Sequence, residues 1–411
     1  MVGKESPAQE GIPMVAAFSG AQARFEKTTI SIVVAVSTCH LLNDIIQSLL
    51  TSLYPMFREN YALDFVQIGL LTMMFQITAS LLQPIVGIVT DKWPMPYSLP
   101  VGMVSTFSGL LLLGYAGSFG TLLIAASLIG FGSAVFHPEA SRVARLASGG
   151  RHGLAQSLFQ LGGNAGSAIG PLIAAFFVLQ HGQKSVAWLS VLAVIGFIVL
   201  SWVGTWYVNH RRQQAARPAP SRALPIARNK AMWALAILIL LTATKNVYMA
   251  SISSYFTFYV IDKFHLDVRD AQLMLFLFLG SVAAGTIMGG PVGDRLGARF
   301  VIWFSILGVI PFALMMPYAN LFWTCVLTVI IGLVLASAFP AIVVFAQELI
   351  PGRVGLIGGI FFGFAFGAGG LGAAALGDFA DSRGIPFVYT LCSYLPLLGL
   401  FTIFLPRIPR H

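Results

Sequence analysis

The chain has 411 residues, of which 57% are hydrophobic and 9% charged, and its mean hydropathy is +0.83. A water-soluble chain carries roughly 25% charged residues, so this composition excludes a soluble globular protein and leaves lipid as the main solvent. The net charge of +9 does not point to nucleic acid, because the Lys and Arg lie between apolar runs, which is the pattern of a membrane orientation signal.

Residues 1–28 hold Glu5, Pro7, Glu10 and Pro13 without the apolar core and small-residue cleavage site of a signal peptide. They read as a cytoplasmic tail. Apolar segments long enough to cross a bilayer follow near 30–57, 66–90, 97–116, 121–145, 154–179 and 185–208, then near 231–261, 268–293, 299–317, 320–347, 354–377 and 386–405. The expectation is an all-α membrane protein of twelve transmembrane helices in two six-helix halves, 29–208 and 231–406, with 407–411 as a second cytoplasmic tail. Between the halves, 209–230 carries Arg211, Arg212, Arg217, Arg222, Arg228 and Lys230 with Pro218, Pro220 and Pro225, which reads as a basic cytoplasmic linker. With the amino terminus inside, only Arg58, Lys184, Lys245, Lys263, Arg269 and Arg383 of the Lys and Arg fall outside the cytoplasmic tails, loops and linker. Both termini are therefore expected in the cytoplasm. Cys39, Cys325 and Cys392 stand singly in apolar segments and read as packing residues.

The halves repeat one another at an offset of about 202 residues. Pro138 matches Pro340, Gly153-Leu154 matches Gly355-Leu356, Phe159 matches Phe361, Gly170 matches Gly372, and Asp91 matches Asp294 within one residue. Transporters built from repeats hold their substrate between the halves near the bilayer midplane.

One loop reads Gly290-Pro-Val-Gly-Asp294-Arg295-Leu-Gly297-Ala-Arg299. Its glycines permit close helix approach, and Asp294 can bind groups on neighbouring helix ends. The first-half copy keeps Gly87 and Asp91-Lys92 but has Trp93-Pro94-Met95-Pro96 where the glycine and arginine portion stands, so a weaker latch is expected there. These residues resemble the loop motif of the major facilitator superfamily. Gly162, Gly166 and Gly170-Pro171 resemble its antiporter motif, although Ala174-Ala175 stands where that motif has glycines, and small residues at this spacing also serve helix packing. The arginine that many drug:proton antiporters of the superfamily carry in segment four is replaced near Ala126. Longer stretches resemble one branch of drug exporters: Leu41-Leu42-Asn43-Asp44, Phe136-His137-Pro138-Glu139, 148–157, 248–255, Ala346-Gln347-Glu348 and Pro351-Gly-Arg353. What this resemblance implies is alternating-access export of an anionic phosphonate antibiotic or a similar toxic compound from a bacterial inner membrane.

Ionisable side chains at bilayer depth are costly and mark candidate sites. His40 and Asp44 share one face of segment one with Asn43 and Gln47 close by. His137, Glu139 and Arg142 surround Pro138, which is expected to break segment four and free a carbonyl. Lys245-Asn246 occupies the repeat position of Asn43-Asp44, so Asp44 and Lys245 are expected to pair across the cavity. Asp44 is the expected proton carrier, with His40 as relay and Glu139 as the alternative acid. Asn43, His137, Arg142, Lys245, Asn246, Tyr255, Gln160 and Asn164 are candidate substrate contacts. Gln160 and Asn164 equally suit interhelical hydrogen bonds, Tyr255 an aromatic belt, and Arg142 an interfacial latch. Asp91, Asp294, Arg295, Arg299 and Glu348 are candidate latch residues.

The functional expectation is a proton-coupled antiporter for a small molecule, with a proton-coupled importer as the alternative. An enzyme built on His40, Asp44, His137 and Glu139 finds no support in a His-Glu-x-x-His, Gly-x-Ser-x-Gly or phosphate-loop pattern. The expected partners are a small-molecule substrate, protons and the lipid bilayer; no cofactor, metal or nucleic acid is expected, and the chain is expected to act as a monomer.

Overall fold

The computed structural model describes residues 28–63, 65–215, 224–266 and 268–406, and every regular element in them is helical. The expected tails at 1–27 and 407–411, and residues 216–223 of the linker, lie outside the described residues. The membrane helices are α1 Ile30–Ser52, α2 Leu70–Lys92, α3 Ser98–Gly114, α4 Phe119–Ala147, α5 His152–His181 and α6 Gln183–Gln213 in the first half. The second half has α7 Arg228–Phe264, α8 Val268–Leu296, α9 Ala298–Tyr318, α10 Leu321–Leu349, α11 Val354–Arg383 and α12 Ile385–Phe404. Ten of them contain a span long and apolar enough to cross a bilayer, while α3 and the first part of α11 are shorter apolar helices, so the twelve expected segments are all present. The polar stretch 209–230 differs from expectation at its ends: α6 runs on past 208, and α7 starts at Arg228.

Helix is the form these apolar runs take because a lipid-exposed backbone must satisfy its own N–H and C=O groups within the segment. Helix starts are fixed where polar caps are available. Ser118 and Thr121 cap α4 reciprocally, and the Asn320 side chain accepts the Trp323 N–H at the start of α10. Pro84 in α2 and Pro171 in α5 each lie near a five-residue π turn, Ile77–Leu81 and Ala174–Val178, and the Gln83 amide donates to the Ala79 carbonyl beside Pro84. Pro138 does not break α4, which continues through it to Ala147, contrary to the expected break.

Close glycine packing then brings the helices together. A Cβ on Gly162 or Gly166 would collide with the Ser37 or Leu41 carbonyl, and one on Gly170 with the Ser48 hydroxyl, so the glycine row of α5 presses that helix onto α1. Two further seams join the halves. Along α2 and α11, Gly87 meets the Gly355 backbone, Gly359 the Gln83 carbonyl and Gly363 the Ser80 carbonyl; along α5 and α8, Gly153 and Gly290 abut. Farther along α11 and α8, Gly367 and Gly280 have nothing within 4 Å of an added Cβ. The halves are therefore sealed at the end carrying Asp91 and Asp294, and the close glycine contacts of the seam do not continue to Gly367.

Two carboxylates lock the sealed end. Asp294, at the end of α8, accepts the Gly153 and Leu154 N–H groups at 2.8 and 2.9 Å, and Asp91, at the end of α2, accepts those of Gly355 and Leu356 at 2.9 and 2.8 Å. The first N–H groups of a helix lack intrahelical partners and sit at the positive end of its dipole, so each aspartate caps a helix of the opposite half. The first-half latch is as complete as the second despite its altered loop, because the carboxylate and the glycine approach make the contact. It is also the more elaborate, since Arg142 joins Asp91 in an ion pair. Arg295 is exposed in the last turn of α8, and Arg299 lies 4.6 Å over the Trp303 ring.

Replacing either latch carboxylate by its amide should remove about 1 kcal/mol of cap stabilisation and slow transport without unfolding the protein. Asp91→Asn should slow it more than Asp294→Asn, because it also strips buried Arg142 of an acid partner. Flux assays on reconstituted variants check both, and wild-type turnover in each would remove the latch from the mechanism.

Candidate functional site: opposed walls of a central cavity

The first wall is built by α1 and α4. His40, Asn43 and Asp44 are all buried, and Asp44 is 4% exposed. The Asp44 carboxylate receives the Asn43 and Gln47 amides at 3.1 and 2.9 Å. His40 Nε2 and His137 Nε2 each lie 3.5 Å from one of its oxygens. The other nitrogen of each ring is committed elsewhere: His40 Nδ1 is 2.7 Å from the Phe159 carbonyl and His137 Nδ1 is 3.0 Å from the Ser133 carbonyl. A carbonyl only accepts, so each Nδ1 carries a proton, while the Nε2 atoms turn toward the Asp44 carboxylate. The two imidazoles and the carboxylate thus converge with their atoms within 4.8 Å of one another. His40 stacks on Phe159 at 4.1 Å, which fixes its ring plane.

The second wall follows the same template with different chemistry. Lys245, 7% exposed, places Nζ 5.1 Å over the Phe339 ring. Phe339 stands one residue before Pro340, as His137 stands before Pro138, so the pair Lys245 and Phe339 repeats the pair Asn43 and His137. Asn246 donates to the Thr242 carbonyl one turn back at 2.8 Å. Phe362 of α11 lies between the walls, 5.4 Å from the His137 ring and 5.3 Å from the Phe339 ring.

The expected ion pair between Asp44 and Lys245 is not formed. Asp44 is held by groups of its own half, and among the described residues no carboxylate oxygen lies within 4.0 Å of Lys245. Each charge is packed on its own repeat unit, and the Phe362 ring lies between the two units. Arg142 is likewise not a cavity residue. Its guanidinium binds Glu139 at 2.9 Å, the Thr90 carbonyl at 2.6 Å, the Thr90 hydroxyl at 3.1 Å and Asp91. Glu139 belongs to that latch network, because positions three apart share a helix face and 137 and 139 do not.

Gln160 donates to Asn164 at 3.3 Å, and Asn164 donates across the seam to Thr286 at 3.2 Å, so these amides take the interhelical role. Tyr255 packs against the apolar core of the second half. Toward the sealed end, Arg145 donates to Gln347 at 3.1 Å, Gln347 to Ser141 at 3.5 Å and Ser141 to Gln156 at 3.1 Å. Glu348 lies beside Arg145. Sequence reasoning missed Phe339, Phe362, Thr90 and Ser133; for Phe339 the signal was available, since the repeat offset places it opposite His137.

A family model described as Major Facilitator Superfamily matches residues 36–373 and 246–411. The chain is 56% identical over 394 residues to the fosmidomycin resistance protein of Escherichia coli (strain K12), covering 96% of this chain and 97% of that one. It is 38% identical to an uncharacterized transporter of the same type, YfnC, of Bacillus subtilis (strain 168), over 92% of this chain and 93% of that one. Its fold matches the crystal structure of the transporter FucP in the outward conformation, with a TM-score of 0.72 at 15% identity over 93% of this chain and all of that one. The chain belongs to the major facilitator superfamily and is a multi-pass membrane transporter, not an enzyme.

Proposed function

We propose that this transporter is a proton-driven exporter of the bacterial inner membrane that removes a small anionic compound of the phosphonate class. The observation that carries the reading is the opposition of the two walls: a buried cation, Lys245, on one, and a proton-accepting cluster, His40, Asp44 and His137, on the other. A cation at membrane depth calls for a counter-charge, and an arriving anion supplies it. The extensive likeness to a protein named for fosmidomycin resistance supports a substrate of that kind. The termini and the sealed end are placed in the cytoplasm because the basic loops cluster there, so the conformation described is outward-open. Residues 29–208 and 231–406 are the two units that rock about the cavity.

Exchange requires that proton and substrate load the transporter in turn, so that a proton entering at the Asp44 cluster follows release of the anion from Lys245 and returns the empty site to the cytoplasm. Glu139 is the alternative carrier, and its neutralisation would act through Arg142 on the latch.

In vesicles with an imposed pH gradient, Lys245→Gln should raise the fosmidomycin concentration for half-maximal flux about tenfold, the equivalent of ~1.4 kcal/mol. Unchanged affinity in a destabilised protein would reduce Lys245 to a packing role. Asp44→Asn should abolish gradient-driven efflux yet retain passive exchange. If Asp44→Asn still responds to the gradient while Glu139→Gln does not, the proton site lies on α4. Accumulation with the gradient, rather than extrusion against it, would make the protein an importer.

A further inference from the structure

The polar plug beneath the cavity contains a contact with a special position. Arg145 of α4 donates to Gln347 of α10, and the two are 202 residues apart. The same offset carries Pro138 onto Pro340 and Gly153 onto Gly355, so Arg145 touches its own counterpart in the other repeat. Positions exchanged by a two-fold axis lie on opposite sides of it at equal distances, and they can touch only beside the axis. The Arg145–Gln347 contact therefore lies beside the axis that relates the halves, along which a substrate held between them must pass.

The environment of Arg145 differs from that of the other cation nearby. Arg142 is bound to two acids, Asp91 and Glu139. Arg145 instead gives one N–H to a neutral amide, with Glu348 beside it and the Ser148 and His152 pair at the same helix end. Eight residues separate Arg145 from His137, about 12 Å along α4, so it lies below the aromatic floor formed by His137, Phe339 and Phe362. Opening of the sealed end requires Gln347 to leave Arg145, which uncovers a planar guanidinium able to bind an oxyanion through two parallel hydrogen bonds.

We infer that Arg145 is the loading residue of the inward-open state, the cation that first receives an anionic substrate from the cytoplasm before it passes to Lys245. This rests on the anion-export reading above. It adds a site-specific asymmetry: Lys245 serves substrate from both faces, Arg145 from the sealed face alone.

The test compares inverted and right-side-out vesicles with fosmidomycin as the probe. Arg145→Gln should raise the half-saturating concentration at the cytoplasmic face about five- to tenfold, while the value at the outer face stays within about twofold of wild type. Arg145→Lys should recover part of the loss. Gln347→Glu, which keeps the arginine but occupies it with a carboxylate, should reproduce the one-sided effect and serves if Arg145→Gln does not fold. Equal shifts at both faces, or no shift at either, would overturn the assignment alone. Absence of saturable flux in wild-type vesicles would overturn the export reading and this assignment with it.

Discussion

The arrangement of this transporter depends on one interaction made twice, a carboxylate from one half capping a helix of the other. Asp91 and Asp294 occupy amide groups that α11 and α5 leave unpaired at their first turns. Such a cap needs the two helix ends to come within hydrogen-bonding distance, and the glycine contacts at Gly87 and Gly355 and at Gly153 and Gly290 permit it. Both caps lie at the same end of the molecule, and they seal the halves there.

Within that frame the repeat supplies a template and substitution gives each wall its own chemistry. One wall carries Asn43-Asp44 against His137 and the other Lys245-Asn246 against Phe339. The same backbone geometry therefore presents a carboxylate with two histidines on one side and a lysine on the other. Their separation matters electrostatically, since a direct ion pair would cancel both charges in a medium where each is strong.

Helix α4 divides its work by periodicity. His137, Ser141 and Arg145 recur at four-residue spacing, and they meet the cavity floor and then the polar plug. Glu139 and Arg142, three apart on another face, meet α2 and the first latch. One continuous helix therefore connects the Asp44 cluster, the Arg145–Gln347 contact and the Asp91 cap, and a rotation of α4 would move all three together.

The sequence by itself determined what solvent the chain lives in and how it is built. Low charge and long apolar runs specify membrane helices, the repeat specifies two halves, and the aspartate loop and the longer stretches around Asp44 and His137 specify the superfamily. These are properties of local composition and spacing, which a helix preserves. Which charges would meet was decided only by the tertiary structure. Asp44 faced two histidines rather than Lys245, Arg142 turned to Asp91 and Glu139 rather than the cavity, and the degraded first loop formed a complete latch. The reason is physical: a partner across helices is set by the rotation and depth at which one helix packs on another, and small residues such as Gly87 and Gly355 fix these through contacts that neither segment encodes alone.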